Sequence, residues 1–151
     1  MPATEPVQKL GTVTSDDVVA CVLYYYEERT RGTGLPSDPQ LLHPAFSDIQ
    51  RDFPDLSLDY RFVRDPVVLR SERLHRALWR LQMSGLITKT NPRFAVIHLS
   101  DAGKNATEKF VIPKMTPEEL SACQEAAAEL QQKLARSRPR SAKRVAASVQ
   151  R

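Results

Sequence analysis

The chain has 151 residues and a formal net charge of +4, with 41% hydrophobic and 26% charged residues, so it holds one domain with a real core and has no room for two large ones. No apolar run approaches the about 20 residues that a membrane span needs, and residues 1–11 lack the basic-then-apolar form of a signal peptide, so a cytoplasmic protein is expected. Acids outnumber bases over residues 1–66, bases dominate 67–104, and beyond Glu129 there is no acid while Lys133, Arg136, Arg138, Arg140, Lys143, Arg144 and Arg151 accumulate, a distribution that a phosphate backbone would select.

Residues 1–13 hold two prolines and little periodicity and read as a flexible arm. Thr14 or Ser15 then caps a helix whose positive end is matched by Asp16 and Asp17. Val18, Val19, Cys21, Val22, Leu23, Tyr25 and Tyr26 make that helix apolar most of the way round, which puts it at the centre of a core. Consecutive helical residues point in different directions, so Tyr24, Tyr25 and Tyr26 are read as packing residues and not as a base-stacking platform. A second helix over 38–53 is capped by Asp38 with Pro39 at its first position; Pro44 allows an alternative start near His43. His43 has no acid, Cys or second His placed to work with it and is read as a packing or locally bonded residue. Residues 55–70 alternate Leu56, Leu58, Tyr60 and Phe62 as a strand would. They form either an added strand or long loop, or a further short element that takes over the work of the preceding helix.

Ser71 begins a third helix on which Leu74, Ala77, Leu78 and Leu81 form one apolar stripe, and Gly85 stops it. Trp79 adjoins Leu78 and is read as a boundary or core residue. Leu86 and Ile87 open a short extended run, Asn91-Pro92 supplies turn chemistry, and residues 94–99 alternate as a second strand in which His98 is structural. A helix from Ser100 continues over 104–111 until Pro113 breaks it. Thr116, Pro117 and Glu119 then form a capping box, followed by a seam of Leu120, Cys123, Ala127, Leu130 and Leu134. By spacing alone that seam packs either on the chain's own first helix or on its copy in a dimer. Residues 137–151 are basic and poor in large apolar residues, and read as a tail that is disordered or only transiently helical. Cys21 and Cys123 lie far apart in sequence with no CxxC, and two buried thiols are expected.

Helix, Gly-Leu-Ile, hairpin, helix is the order of a winged helix-turn-helix, and the letters agree. LHRALWRLQMSGLI resembles a recognition helix running into the first wing strand, and VIHLSDAGKNA resembles the second wing strand with the "LT-x-x-G" start of the next helix in MarR- and PadR-like regulators. The resemblance covers residues 71–104, about a quarter of the chain. It implies a mostly α fold with a small β-hairpin wing: a winged-helix domain over 14–112 and an additional C-terminal helix over 113–136. In those regulators terminal helices build the dimer, which implies a homodimer through residues 116–135.

Arg73, Arg76 and Arg80 recur at three- and four-residue spacing with His75 alongside, and arginine is the side chain best suited to phosphate and guanine. The bland alternative is a solvated face. Lys89, Asn91 and Arg93 sit at the hairpin tip, where backbone contact is the expectation. The expected double-stranded DNA contacts are therefore Arg70, Ser71, Arg73, His75, Arg76, Arg80, Lys89, Asn91 and Arg93. A glycine-rich phosphate loop, HExxH, GxSxG and any His–carboxylate cluster at ligand spacing are all missing from the sequence, so no catalytic residue, metal or cofactor is expected. Two functions compete: a DNA-binding transcriptional regulator, and a winged-helix subunit, antitoxin-like or an assembly component, that uses Trp79 and the acidic first half against a protein partner.

Overall fold

A computed structural model describes residues 12–56, 58–65, 68–90 and 96–150, with Asp65, Val68, Thr90 and everything beyond Ala135 described by backbone alone. The architecture is mostly helical with a small antiparallel sheet.

Helix α1 (Ser15–Thr30) is capped by Thr14, whose hydroxyl accepts from the Asp17 amide at 3.1 Å while Asp17 accepts from the Thr14 amide at 3.0 Å. Six consecutive residues, Val18 to Leu23, are buried, so α1 is wrapped on all sides along its first half and forms the centre of the core. Its acids also tie down neighbours: Asp17 meets Lys114 at 2.6 Å, both partners being largely buried.

Strand β1 (Leu35–Pro36) follows a glycine turn. A Cβ on Gly34 would lie 2.3 Å from Val96 Cγ1, and φ is +85°, so only glycine lets the chain enter the sheet there. Helix α2 (Pro39–Asp52) starts where Asp38 accepts from the Gln40 amide at 2.9 Å, and it continues through Pro44. The start near His43 is thereby excluded; the Asp38 cap and buried Leu42, Ala45, Phe46 and Ile49 outweigh the one backbone bond Pro44 removes.

Residues 58–60 form a strap and not a strand. Leu56, Leu58 and Tyr60 are buried, and the Gln50 side chain substitutes for a strand partner, bonding both the Tyr60 amide and its carbonyl at 2.8 Å. The ladder comes later, where β2 (Val63–Asp65) pairs antiparallel with β3 (Val68–Arg70), Val63 opposite Arg70. Of the readings open for 55–70, the added strand is the one seen, as an antiparallel β2–β3 pair between α2 and the next helix.

Helix α3 (Glu72–Met83) ends at Ser84, with Gly85 at φ +77° turning the chain. Strands β4 (Ile87–Thr90) and β5 (Val96–Leu99) pair antiparallel, Ile87 opposite Leu99, and β1 joins the other side of β5, giving the order β1-β5-β4. Glu27 of α1 is 6% exposed and anchors this sheet, accepting from the Leu99 amide and lying 3.3 Å from His98 Nδ1. The structural role read for His98 fits that anchor.

Helix α4 (Asp101–Ala106) continues without a break as a π-helical turn (Thr107–Val111) and gives way to a 3-10 turn (Ile112–Lys114), so the helix from Ser100 runs to 111 and ends around Pro113 as expected. Helix α5 (Pro117–Gln150) has the expected capping box, Thr116 and Glu119 bonding each other's amides at 2.9 and 3.1 Å. Its seam (Ala122, Cys123, Ala126, Ala127, Leu130, Leu134) is buried on α1 and α2 of the same chain. Of the two readings of the seam, packing on the chain's own first helix is the one seen, and this apolar face is not open to a second copy for the homodimer expected through 116–135. The backbone also stays helical to Gln150, past 136, in the stretch expected to be disordered or only transiently helical. Alanine, arginine, lysine and glutamine are strong helix formers and carry the geometry across Pro139. Residues 1–11 of the expected arm lie outside the described residues.

Candidate nucleic-acid interface

The helix α3 is set by its two ends and its stripe. Ser71 Oγ accepts from the Leu74 amide at 3.2 Å, and the Ser71 amide donates to His43 Nδ1 at 3.0 Å. Both groups are buried, and burial, followed by the nearby charges of Arg70 and His75, pulls the His43 pKa down to about 4. A neutral His43 is therefore the acceptor that fixes the start of α3 against α2.

With Leu74, Ala77, Leu78 and Leu81 buried, the 100° step of a helix turns Glu72, Arg76, Trp79 and Met83 outward. Trp79 is 56% and Met83 66% exposed, so the apolar pair lies on the outermost ridge. That overturns the reading of Trp79 as a boundary or core residue. The signal was available: Trp79 is five steps from Leu74, about 140° away from the stripe.

The three arginines fall within about 60° of one another around α3, but they differ in what holds them. Arg76 stands on the ridge, its Nε 4.0 Å from Glu72 Oε1, a loose exposed pair. Arg80 lies on one flank and is held at two points by Asp16 of α1, Nε to Oδ2 at 2.9 Å and Nη2 to Oδ1 at 2.8 Å. The Asp16 bond holds the guanidinium firmly charged. Arg73, on the same flank, meets Asp59 Oδ2 at 3.3 Å and sits 5.9 Å over the Tyr60 ring. Neither acid was assigned a part in this site from sequence, because each contact joins elements far apart in the chain.

Ser71 is removed from the contact set: it is fully buried and its hydroxyl is spent on the cap, so it has nothing to offer a groove. Arg70 is half-buried at the end of β3. On the other flank, exposed His75 and Gln82 line a cleft of about 100 Å³ with Trp79, half-buried Lys89 of β4 and Pro39 of α2. Asn91 and Arg93 fall outside the described residues. What the fold brings together is His75, Arg76, Trp79 and Lys89, with Arg73 and Arg80 beside them but already paired.

Among the described residues there is no group of His, Cys, Asp and Glu that could hold a metal ion, and no helix long and apolar enough to cross a membrane. No protein-family model, no curated protein and no solved structure matches the chain.

Proposed function

We propose that this chain is a winged-helix protein that binds duplex DNA, with α3 entering the major groove and the β4–β5 hairpin acting as the wing, in the role of a transcriptional regulator. The observation that supports this best is the topology: α1, β1, α2, α3, β4 and β5 close a sheet of order β1-β5-β4 while the outer face of α3 stays open beside the hairpin. Arg76 and His75 are exposed on that face and Lys89 is half-buried next to it. Arg73 and Arg80 exchange their carboxylates for phosphates at small cost, because exposed ion pairs are weak. Binding to random duplex is measured as the salt is raised, for the full chain and for a chain ending at Ala135, where the packed seam is complete. Both are expected to bind, each phosphate neutralised steepening the log-log salt slope by about 0.9, and Arg76→Glu lowers affinity more than tenfold. Binding that disappears with residues 136–151 and ignores Arg76→Glu contradicts the proposal.

One observation favours a second reading, a protein-contact module. Trp79 and Met83 stand one turn apart on the exposed ridge, and residues of these types anchor protein interfaces. On that reading Trp79→Ala with Met83→Ala abolishes partner capture, and Arg76→Glu leaves it largely intact.

A further inference from the structure

The cleft of about 100 Å³ beside the Trp79 ridge is lined from four elements: His43 of α2, Leu78, Trp79 and Gln82 of α3, Lys89 of β4 and Ile97 of β5. Leu78 and Ile97 are buried and, with the Trp79 ring, give it an apolar lining. Two donors stand in the same space. His43 is 2% exposed and accepts the Ser71 amide on Nδ1 at 3.0 Å, so the proton of the neutral ring sits on Nε2. That Nε2–H has no hydrogen-bond partner among the described residues and is not sealed in the core, so it opens onto the cleft that His43 lines. Half-buried Lys89 likewise meets no carboxylate among the described residues.

A buried donor without an acceptor is costly, and a half-buried ammonium adds positive charge, so the cleft favours an anionic acceptor. No acid is among its described lining residues to oppose one. At about 15 Å³ for each water-sized position, the space takes roughly six or seven non-hydrogen atoms.

We propose that this cleft binds a short aliphatic monocarboxylate, whose oxygens accept from His43 Nε2–H and Lys89 Nζ while its alkyl chain lies on Leu78, Ile97 and Trp79. Inorganic phosphate offers acceptors but leaves the apolar lining unfilled, and a neutral amide of the same shape fills the lining but forgoes the charge of Lys89. The site belongs to the free protein and stands whether or not α3 binds DNA.

Trp79 is the chain's one tryptophan, so its fluorescence reports on the cleft directly. The full chain is titrated with sodium butyrate at constant ionic strength, with sodium chloride, inorganic phosphate and butyramide as parallel probes. Butyrate is expected to give a saturable change with a midpoint of roughly 1 mM. Phosphate and butyramide are expected to bind roughly tenfold more weakly, chloride not at all, and Lys89→Met to raise the butyrate midpoint roughly tenfold or more. Imidazole proton–nitrogen correlation spectra give a second readout on the unaltered chain, in which butyrate moves the His43 Nε2–H resonance. A response that never saturates, phosphate or butyramide binding as tightly as butyrate, an unchanged midpoint in Lys89→Met, or a His43 resonance that stays in place would each overturn the proposal.

Discussion

Helices α3 and α5 carry apolar seams of the same three- and four-residue spacing and meet opposite fates. The α5 seam is alanine-rich, lies flat on α1, and is consumed inside the chain. The α3 stripe is equally buried, but the ridge opposite it presents Arg76, Trp79 and Met83 to solvent. Spacing identifies an apolar face; it does not say whether that face meets its own chain or another. Small residues at Ala122, Ala126 and Ala127 are the clue that a helix axis comes close, since bulkier side chains would hold α1 away.

Several substitutions sharpen that contrast. Leu130→Ala empties a fully buried site in the α5 seam and is expected to destabilise by about 2 to 5 kcal/mol in chemical denaturation. Trp79→Ala removes a larger side chain from the exposed ridge and is expected to change stability by no more than about 0.5 kcal/mol. If Trp79→Ala proves the costlier, the two faces have been assigned the wrong way round.

Next in size is the pH dependence carried by His43. Folded His43 accepts a proton only near pH 4, against 6.5 when unfolded, so between those values the unfolded chain binds more protons. Stability therefore falls as the pH drops from about 6.5 to about 4, by up to about 3 kcal/mol from this group, and is insensitive to it above that window. His43→Gln, which keeps an acceptor for the Ser71 amide, is expected to flatten the curve in equilibrium unfolding at stepped pH. Thr116→Ala removes one half of the α5 capping box and is expected to cost about 1 kcal/mol by the same assay. Asp16→Asn is the smallest change, at most about 1 kcal/mol, because its partner Arg80 is half exposed. On the DNA-binding reading it also frees Arg80 and tightens duplex binding severalfold.

Much of the fold was legible in the sequence because its signals are local. The Thr14, Asp38, Ser71, Ser100 and Thr116 caps each bond an amide two or three residues on, and each sits where helix-start chemistry predicts. The β4–β5 pairing followed from alternation, while the turn expected at Asn91-Pro92 lies outside the described residues. Less of the site could be read. Residues 55–70 misled because Leu56, Leu58 and Tyr60 alternate like a strand while their partner is a single glutamine side chain, Gln50. Ser71 reads equally well as a cap and as a groove contact, and only its burial separates the two. The pairing of Arg80 with Asp16, and of Arg73 with Asp59, depends on how α3 meets α1 and the strap, which no local pattern encodes.

The central claim is that the outer face of α3 grips a polyanion with Arg76 at its middle. Fluorescence anisotropy of a labelled random duplex, titrated with the chain ending at Ala135 and its Arg76→Glu variant across a salt series, tests it most directly. The account predicts measurable low-salt binding that weakens more than tenfold in the variant, with the log-log salt slope shallower by about 0.9 or more. Equal binding by the two chains, or none by either, would contradict it and leave the exposed Trp79–Met83 ridge as a surface for a protein partner.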